Sequence, residues 1–242
     1  MRDGWEAEAA KWAAFARTPG HDRMYDEINL PALRALLPGP GRATLDLGCG
    51  EGRVGRFLRS IGHRVAAADA APTMVRLAAG HPEAVPAVLA DAAALPFPGA
   101  AFDLVVAFMC LHDMDRMPQA VAEAARVLTP GGRLCACIPH PVNSAGVFRG
   151  RDGDAPFLIE GSYLDPAPAD WVADWGGIQM TFHSEHRPLE AYSRALEAAG
   201  LLIEAIRETR APDPLVAAGP GKRRWQRIPL ALHLRAVKPG RS

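Results

Sequence analysis

The sequence predicts one α/β domain built around a parallel β-sheet, and two observations support this prediction. From residue 43 onward, short apolar segments alternate with amphipathic segments at the spacing of βαβ units, which place parallel strands in one sheet. The chain has 242 residues, 49% of them hydrophobic and 22% charged, which is long enough for one large core and typical of a globular protein.

The first 37 residues are predicted to be helical. Trp5, Trp12 and Phe15 recur at spacings of seven and three residues, as they would on one face of a helix. A second helix is expected over residues 22–37, because the Pro-Gly-Pro-Gly sequence of residues 38–41 cannot continue it.

The strands and helices of the alternating region follow from their apolar patterns and from the glycines and prolines between them. The predicted strands span residues 43–47, 64–68, 87–89, 102–108, 133–138, 201–207 and 229–237. The predicted helices span residues 52–61, 73–79, 117–127 and 188–199. Residues 139–187 interrupt the pattern with proline, glycine and aromatic residues, and a loop of this length inside a compact domain is usually functional.

Charge and cysteine content exclude several classes of protein. Lys and Arg total 27, as do Asp and Glu, so no global basic field attracts nucleic acid or anionic lipid. The N-terminus lacks the apolar run of a signal peptide, and the apolar run at residues 104–111 is far shorter than the ~18 residues of a membrane span. We expect a cytoplasmic protein without a metal site, whose four cysteines are reduced and buried: Cys49, Cys110, Cys135 and Cys137.

A glycine-rich turn follows the first predicted strand and contains Gly48, Gly50 and Gly52. In open α/β sheets, ligands bind outside the carboxyl ends of the strands, where glycine lets the backbone approach them closely. A dinucleotide fingerprint would require a small residue where Arg53 stands, and the carboxylate of Asp46 would repel a pyrophosphate. A ligand with cationic centres would suit Asp46 better. A P-loop is excluded, because the sequence contains no Gly-Lys-Ser/Thr.

Two more carboxylates follow the next two strands. Asp69 lies where an acidic side chain can accept hydrogen bonds from both ribose hydroxyls, and Asp91 lies where one can accept from an adenine amino group. Each carboxylate alone could be a helix cap or a surface residue. With Asp46, however, three successive strand ends carry an aspartate, which favours a nucleoside-containing ligand.

These features resemble the class I S-adenosylmethionine-dependent methyltransferases, of the small-molecule type common in bacteria, over residues 43–237. The matching segments are Leu-Asp-Leu-Gly-Cys-Gly-Glu-Gly at 45–52, Asp69 with Met74, Asp91 with Leu-Pro-Phe at 95–97, Phe-Asp-Leu-Val-Val at 102–106, Leu-His at 111–112, and Arg-Val-Leu-Thr-Pro-Gly-Gly-Arg-Leu at 126–134. Together these motifs are specific for the class and say almost nothing about the substrate.

The resemblance implies a doubly wound, Rossmann-like, seven-stranded mixed sheet whose last strand is antiparallel. It also implies four parts of one domain: an N-terminal helical lid (1–41), a cofactor-binding half (42–138), a substrate-cap insertion after the fifth strand (139–187), and a C-terminal helix with the last two strands (188–242).

The resemblance further implies S-adenosylmethionine as the cofactor and S-adenosylhomocysteine as the product. Gly48 and Gly50 would approach the methionine moiety, Asp69 would hold the ribose, and Asp91 would meet the adenine. The expected cofactor-binding residues are Asp46, Gly48, Cys49, Gly50, Asp69, Ala70, Met74, Asp91, Ala92 and Phe108.

A hydroxyl or amine acceptor needs a base whose pKa is near the working pH, most often histidine. The candidates are His112 after the fourth strand, His140 after the fifth, and His183 before the late helix. Each could instead be a structural histidine, and some similar enzymes use no base. The candidates for substrate contact are Tyr25, Tyr163 and Trp171, for which packing is the alternative role.

The predicted activity is methyl transfer to O or N of a small organic molecule, in a monomer or homodimer that does not bind membranes. An RNA-modifying methyltransferase is a first alternative, which the neutral charge disfavours. The second is a protein that keeps this fold without methylating, for example a cyclase or a binding scaffold. An NAD-dependent oxidoreductase comes third, since Arg53 and Asp46 do not suit it.

Overall fold

The computed structural model describes residues 1–175 and 177–240, so the last two residues of the predicted C-terminal segment lie outside the described residues. Its strands run in chain order as follows: β1 Thr44–Leu47, β2 Val65–Asp69, β3 Ala87–Leu89, β4 Phe102–Phe108, β5 Leu128–Pro139, β6 Gly146–Phe148, β7 Phe157–Ile159, β8 Ala167–Pro168, β9 Trp171–Trp175, β10 Ile178–Phe182, β11 Glu185–His186, β12 Leu202–Glu208 and β13 Ala231–Val237.

The central sheet has seven strands in the order β12-β13-β5-β4-β1-β2-β3. The strands β5, β4, β1, β2 and β3 pair in parallel, whereas β13 is antiparallel to both β5 and β12. The predicted seven-stranded mixed sheet with an antiparallel last strand is therefore confirmed. Because the parallel strands share one direction, their carboxyl ends meet at one edge, where the glycine loop and the aspartates lie.

Helices cover both faces of the sheet, which is the doubly wound arrangement. Their bounds are α1 Arg2–Arg17, α2 Leu30–Leu36, α3 Arg53–Ser60, α4 Pro72–Ala79, α5 Met117–Val127, α6 Pro141–Ser144, α7 Leu189–Ala198 and α8 Asp213–Ala217, with 3-10 turns at Leu111–Asp113 and Pro220–Gln226. One core packs α5 and α7 against the sheet, and a second core packs α2 and α3 against its opposite face.

Two elements differ from the sequence prediction. The second helix contains a π-helical turn, Tyr25–Asn29, that runs directly into α2. Strand β5 begins at Leu128 instead of residue 133, because Leu128 already pairs with Phe102 and a register shift accommodates the glycines that follow. Other predicted strand and helix bounds agree with the structure to within about two residues, as expected for helix and strand ends.

The predicted insertion contains short paired strands. The pairs β6–β7, β8–β11 and β9–β10 are antiparallel and separate from the central sheet. Local hairpins satisfy backbone groups that a bare loop would leave to water, which explains why a segment without strong periodicity is nevertheless ordered.

Among the described residues, every helix is too short or too polar to cross a lipid bilayer. The four cysteines are free and buried, and burial raises the pKa of each thiol. Within the same described part of the chain, no group of three His, Cys, Asp or Glu side chains is arranged to hold a metal ion.

Candidate functional site

The glycine loop after β1 is fixed by backbone contacts with β2. The N–H groups of Gly48 and Cys49 donate to the carbonyl oxygen of Ala68, over 2.8 and 3.1 Å. Gly48 has a φ of +66°, and a Cβ there would lie 2.7 Å from the Cβ of Cys110, so conformation and space both require glycine. The loop therefore presents bare backbone at the carboxyl edge of the sheet.

Asp69 joins the loop after β1 to the loop after β2. Its Oδ2 accepts from the N–H of Gly50 at 2.8 Å, and its Oδ1 accepts from the N–H of Ala71 at 2.9 Å. Burial raises the pKa of this carboxyl, and the backbone donors oppose the shift. Each oxygen keeps a second lone pair, so the carboxylate can still accept hydrogen bonds from the hydroxyls of a ligand.

Asp91 lies at the other end of the same edge, after β3. Its Oδ1 accepts from the N–H of Ala93 at 2.8 Å, and its Oδ2 pairs with Arg116 at 2.5 Å. These contacts lower the pKa of Asp91, so the carboxyl is charged at neutral pH. Ala92, next to it, is partly buried against the core.

A cleft of about 420 Å³ lies between this edge and the N-terminal helix α1. Its lining comes from both sides, with three charged residues from α1 and five residues from the ends of β2 and β3 and the start of α4: Arg2, Asp3, Glu6, Ala70, Pro72, Leu89, Ala90 and Asp91. Ala70 and Asp91 were predicted from the sequence, whereas the charged residues of α1 were not.

Asp46 does not face this cleft. It is 1% exposed, and its Oδ2 lies 3.1 Å from the position that a Cβ on Gly55 would take, so the carboxylate is under the first turns of α3. Burial raises its pKa to about 7, and the backbone of Gly55 opposes the shift. Its Oδ2 has no hydrogen-bond partner among the described residues, and its position beneath α3 differs from the expected contact with a cationic ligand.

Two other predicted cofactor residues also have buried side chains. Cys49 packs beneath the loop with Ala67 and Val85. Met74 is 3% exposed and packs between α4 and α1, where Ala9 also lies. A contact from Cys49 to a ligand would therefore use its backbone.

Helix α1 lies over the glycine loop. Trp12 Nε1 is 3.7 Å from the position that a Cβ on Gly50 would occupy. Glu6 accepts from both the backbone N–H and the hydroxyl of Thr73, at 2.9 and 2.6 Å, and so fastens α1 to the first turn of α4. Arg17 pairs with the buried carboxylate of Glu51 at 2.8 Å.

Arg53 connects both N-terminal helical segments to the loop. Its guanidinium lies 4.9 Å from the ring centroid of Trp12 and 3.9 Å from that of Tyr25, and it pairs with Asp22 at 2.7 Å. Tyr25 in turn meets Phe108 edge to face at 5.7 Å, and burial raises the pKa of Tyr25 to about 12. The structure thus brings together a predicted substrate residue and a predicted cofactor residue.

His112 follows β4 and lies in the loop that packs against Gly48. Its Nε2 is 3.2 Å from Oδ1 of Asp113, and its buried Nδ1 has no partner among the described residues. Burial and the charge of Arg187 lower its pKa to about 3, so the imidazole is neutral at pH 7. Burial also raises the pKa of Asp113 well above its usual range.

His140 has both ring nitrogens engaged. Nδ1 accepts from the N–H of Val142 at 3.1 Å and caps α6, while Nε2 lies 2.9 Å from Oε1 of Glu208. This arrangement supports the structural alternative for His140. His183 lies against α1 at Gly4, with Nδ1 3.3 Å from Asp170.

The two remaining candidates hold the insertion together. The hydroxyl of Tyr163 accepts from the N–H of Leu189, which ties the insertion to α7. Trp171 is half exposed and stacks on Phe182 at 4.3 Å, and Phe182 also meets Trp5 edge to face at 5.7 Å. The hairpin β9–β10 and the helix α1 thus share one aromatic cluster.

Comparison with known proteins identifies the domain. Residues 45–136 match a family model described as a methyltransferase domain. The chain is 37% identical over 126 residues to a malonyl-[acyl-carrier protein] O-methyltransferase of Enterobacter lignolyticus, covering 50% of each chain. It is 39% identical over 118 residues to a demethylmenaquinone methyltransferase of Mycobacterium bovis, covering 49% of this chain and 48% of that one. The chain spans about half the length of the curated relatives it matches.

The similarity to solved structures extends over most of the chain. An S-adenosylmethionine-dependent methyltransferase from Mesorhizobium loti superimposes with a TM-score of 0.72 at 28% identity, over 86% of this chain and 96% of that one. Residues 45–136 therefore form a methyltransferase domain, and the fold of most of the chain is similar to that of an S-adenosylmethionine-dependent methyltransferase.

Proposed function

We propose that the protein transfers a methyl group from S-adenosylmethionine to an oxygen or nitrogen atom of a small organic molecule. The observation that carries this proposal is the bare backbone at Gly48 and Gly50, bound to Asp69, whose neighbour Ala70 lines the cleft together with Asp91. Relatives named for methylation of malonyl-[acyl-carrier protein] and of demethylmenaquinone support a metabolite acceptor.

The residues at this edge fit the cofactor. A Cβ on Gly50 would project into space bounded only by Trp12 at 3.7 Å, so the loop leaves room for a ligand beside its backbone. Asp69 would hold the ribose hydroxyls, while Ala70 and Asp91 would border the adenine, where Arg116 now pairs with Asp91. When bound, S-adenosylmethionine supplies an activated methyl group on a sulfonium, so the protein mainly contributes orientation.

His112 is our candidate for the residue that orients the acceptor. Its neutral imidazole has a buried Nδ1 without a partner among the described residues, and this atom can accept a hydrogen bond from an O–H or N–H group. Because its pKa is about 3, His112 is a weak base at pH 7 and would align the acceptor without retaining its proton. His140 and His183, whose rings contact Glu208 and Asp170, receive supporting roles.

The alternatives have less support. An RNA substrate would need basic residues that contact its phosphates. Arg224 is instead engaged within the protein, because its guanidinium lies over Phe148 and donates to the carbonyl oxygen of Arg151. A non-methylating role on the same fold would keep cofactor binding without transfer. Location in the cytoplasm stays a prediction of the sequence.

Calorimetry with cofactor-free protein tests the proposal. We expect S-adenosylmethionine and S-adenosylhomocysteine to bind with micromolar Kd and NAD not to bind. Asp69→Ala should weaken binding by about 100-fold, since it removes two charged acceptors for ribose hydroxyls. Asp165→Ala, which changes an exposed aspartate of the insertion, is the matched control and should bind normally.

Transfer is then measured with methyl-labelled cofactor and a panel of hydroxylated and amine metabolites. Label in an organic product supports the proposal, and label in RNA favours the first alternative. Absence of cofactor binding by the wild-type protein would overturn the proposal. Binding without transfer to any class of acceptor would favour the non-methylating role.

A further inference from the structure

Arg187 is a buried cation at the end of the insertion. It lies between β11 and α7 and is 6% exposed. A guanidinium is costly to bury unless most of its donors find acceptors. The groups that surround Arg187 therefore indicate what it holds in place.

The guanidinium binds two backbone carbonyls of the loop after β4. Nη1 donates to the carbonyl oxygen of His112 at 3.3 Å, and Nη2 donates to that of Met114 at 2.8 Å. Nη2 also pairs with Glu185, and Tyr192 on α7 hydrogen-bonds to the same guanidinium. Because the donors of arginine form a rigid planar fork, Arg187 fixes the spacing between these two carbonyls.

The loop needs such support because it begins in a strained conformation. Met109 has a φ of +51°, in the left-handed region that a non-glycine residue rarely adopts. Contacts with the sheet hold the first part of the loop, from the N–H of Met109 to the carbonyl of Cys137 and from the thiol of Cys110 to the carbonyl of Leu47. Arg187 holds the last part of the loop through the carbonyl oxygens of His112 and Met114.

The glycine loop has separate anchors. The N–H of Gly48 donates to Ala68 and that of Gly50 donates to Asp69, both in β2. Loss of Arg187 would therefore release the loop that carries His112 while leaving the cofactor loop in place.

We propose that Arg187 is a positioning residue for methyl transfer, which holds the loop at 111–114 so that His112 faces the acceptor. This inference rests on the proposed function. It assigns a role in the reaction to a residue of the insertion that touches neither loop glycine.

The test compares Arg187→Met and Arg187→Lys with the wild type. The matched control is Arg194→Met, which changes an arginine on the exposed side of α7 whose ion pair within the described part of the chain is with Glu190. The measurements are hydrogen exchange, the Kd of S-adenosylmethionine, and turnover of the best acceptor from the metabolite panel.

For Arg187→Met we expect exchange at 109–114 to rise by about tenfold or more, while exchange at 44–52 stays unchanged. The Kd of the cofactor should change by less than about threefold, and kcat should fall by about 10–100-fold, because a small displacement of a reacting geometry has an effect of this size. Arg187→Lys should recover part of kcat, since an ammonium keeps the charge but not the fork. The control should match the wild type.

An equal rise in exchange at 44–52 and 109–114 would make Arg187 a general stabilising residue and overturn the inference. Unchanged exchange at 109–114 would overturn it as well. If wild-type protein fails to bind S-adenosylmethionine, the proposed function fails, and the exchange data still decide separately whether Arg187 holds this loop.

Discussion

The cofactor-binding half and the insertion build their parts of the site in different ways. In the cofactor-binding half, the parallel pairing of β1 with β2 brings Gly48, Gly50 and Asp69 together, and the N–H of Gly50 donates to the Asp69 carboxylate. In the insertion, short hairpins are held by individual side chains such as Tyr163 and Arg187. The first arrangement is fixed by strand register, whereas the second depends on single side chains and can be altered residue by residue.

Gly48→Ala should have the largest effect, because it disrupts the glycine loop of the cofactor-binding half. The added Cβ meets Cys110 at 2.7 Å in a residue with a φ of +66°. We expect a loss of about 3 kcal/mol in the free energy of unfolding, from strain and overpacking together, with loss of cofactor binding. Chemical denaturation measures the first effect and calorimetry the second.

Gly161→Ala is the control for this variant. Gly161 also has a positive φ, of +84°, but a Cβ there meets nothing within 4 Å. It lies in the insertion, so its cost should be about 1 kcal/mol from conformation alone. Equal losses in the two variants would show that the contact with Cys110 does not matter and that the contrast between the regions is wrong.

Asp46→Asn should have an intermediate effect that depends on pH. The folded protein keeps a proton on Asp46 up to about pH 7, whereas the unfolded chain releases it near pH 4. Between these values the folded state binds more protons, so this residue makes the free energy of unfolding fall as pH rises.

The asparagine variant lacks this titration. Between pH 5 and pH 8, the free energy of unfolding of the variant should fall by about 2 kcal/mol less than that of the wild type. This difference should not exceed about 4 kcal/mol. Thermal denaturation at several pH values measures the difference. A variant whose stability falls with pH as steeply as the wild type would show that Asp46 is ionised in the folded protein.

His140→Ala should have the smallest effect. It tests a single side chain at the start of the insertion against the glycine loop of the cofactor-binding half. It removes the cap of the short helix α6 and leaves the Glu208 side chain, which is largely exposed, in contact with water. We expect a loss of about 1 kcal/mol in the free energy of unfolding, typical of a cap, with turnover within about twofold of the wild type.

The matching variant is His112→Ala, which should reduce turnover much more than it changes the Kd of the cofactor. If His140→Ala reduces turnover as strongly at unchanged stability, His140 has a direct role in the reaction, and the structural role assigned here is wrong. Steady-state kinetics beside denaturation separates the two cases.

The residues that meet at the carboxyl edge of the sheet were easier to predict from the sequence than the contacts made by the insertion. The glycine loop and Asp69 were predictable because strand periodicity fixes which residues meet at the carboxyl edge of a parallel sheet. The contacts of Arg187 and Arg53 were not predictable. Arg187 stands beside a proline and Arg53 at a helix start, and neither local pattern indicates which distant groups the arginine contacts. The sequence also could not show that Asp46 points beneath α3.

The sequence by itself determined the alternation of strands and helices, the parallel sheet and the glycine turn after the first strand, because these depend on local periodicity and on turns that only glycine can form. Only the tertiary structure decided that Nδ1 of His112 is buried without a partner among the described residues, that Arg187 binds the loop after β4, and that α1 contacts the hairpin β9–β10. Those features depend on contacts between residues far apart in the chain, such as Arg187 with Met114 and Trp5 with Phe182, which no local pattern encodes.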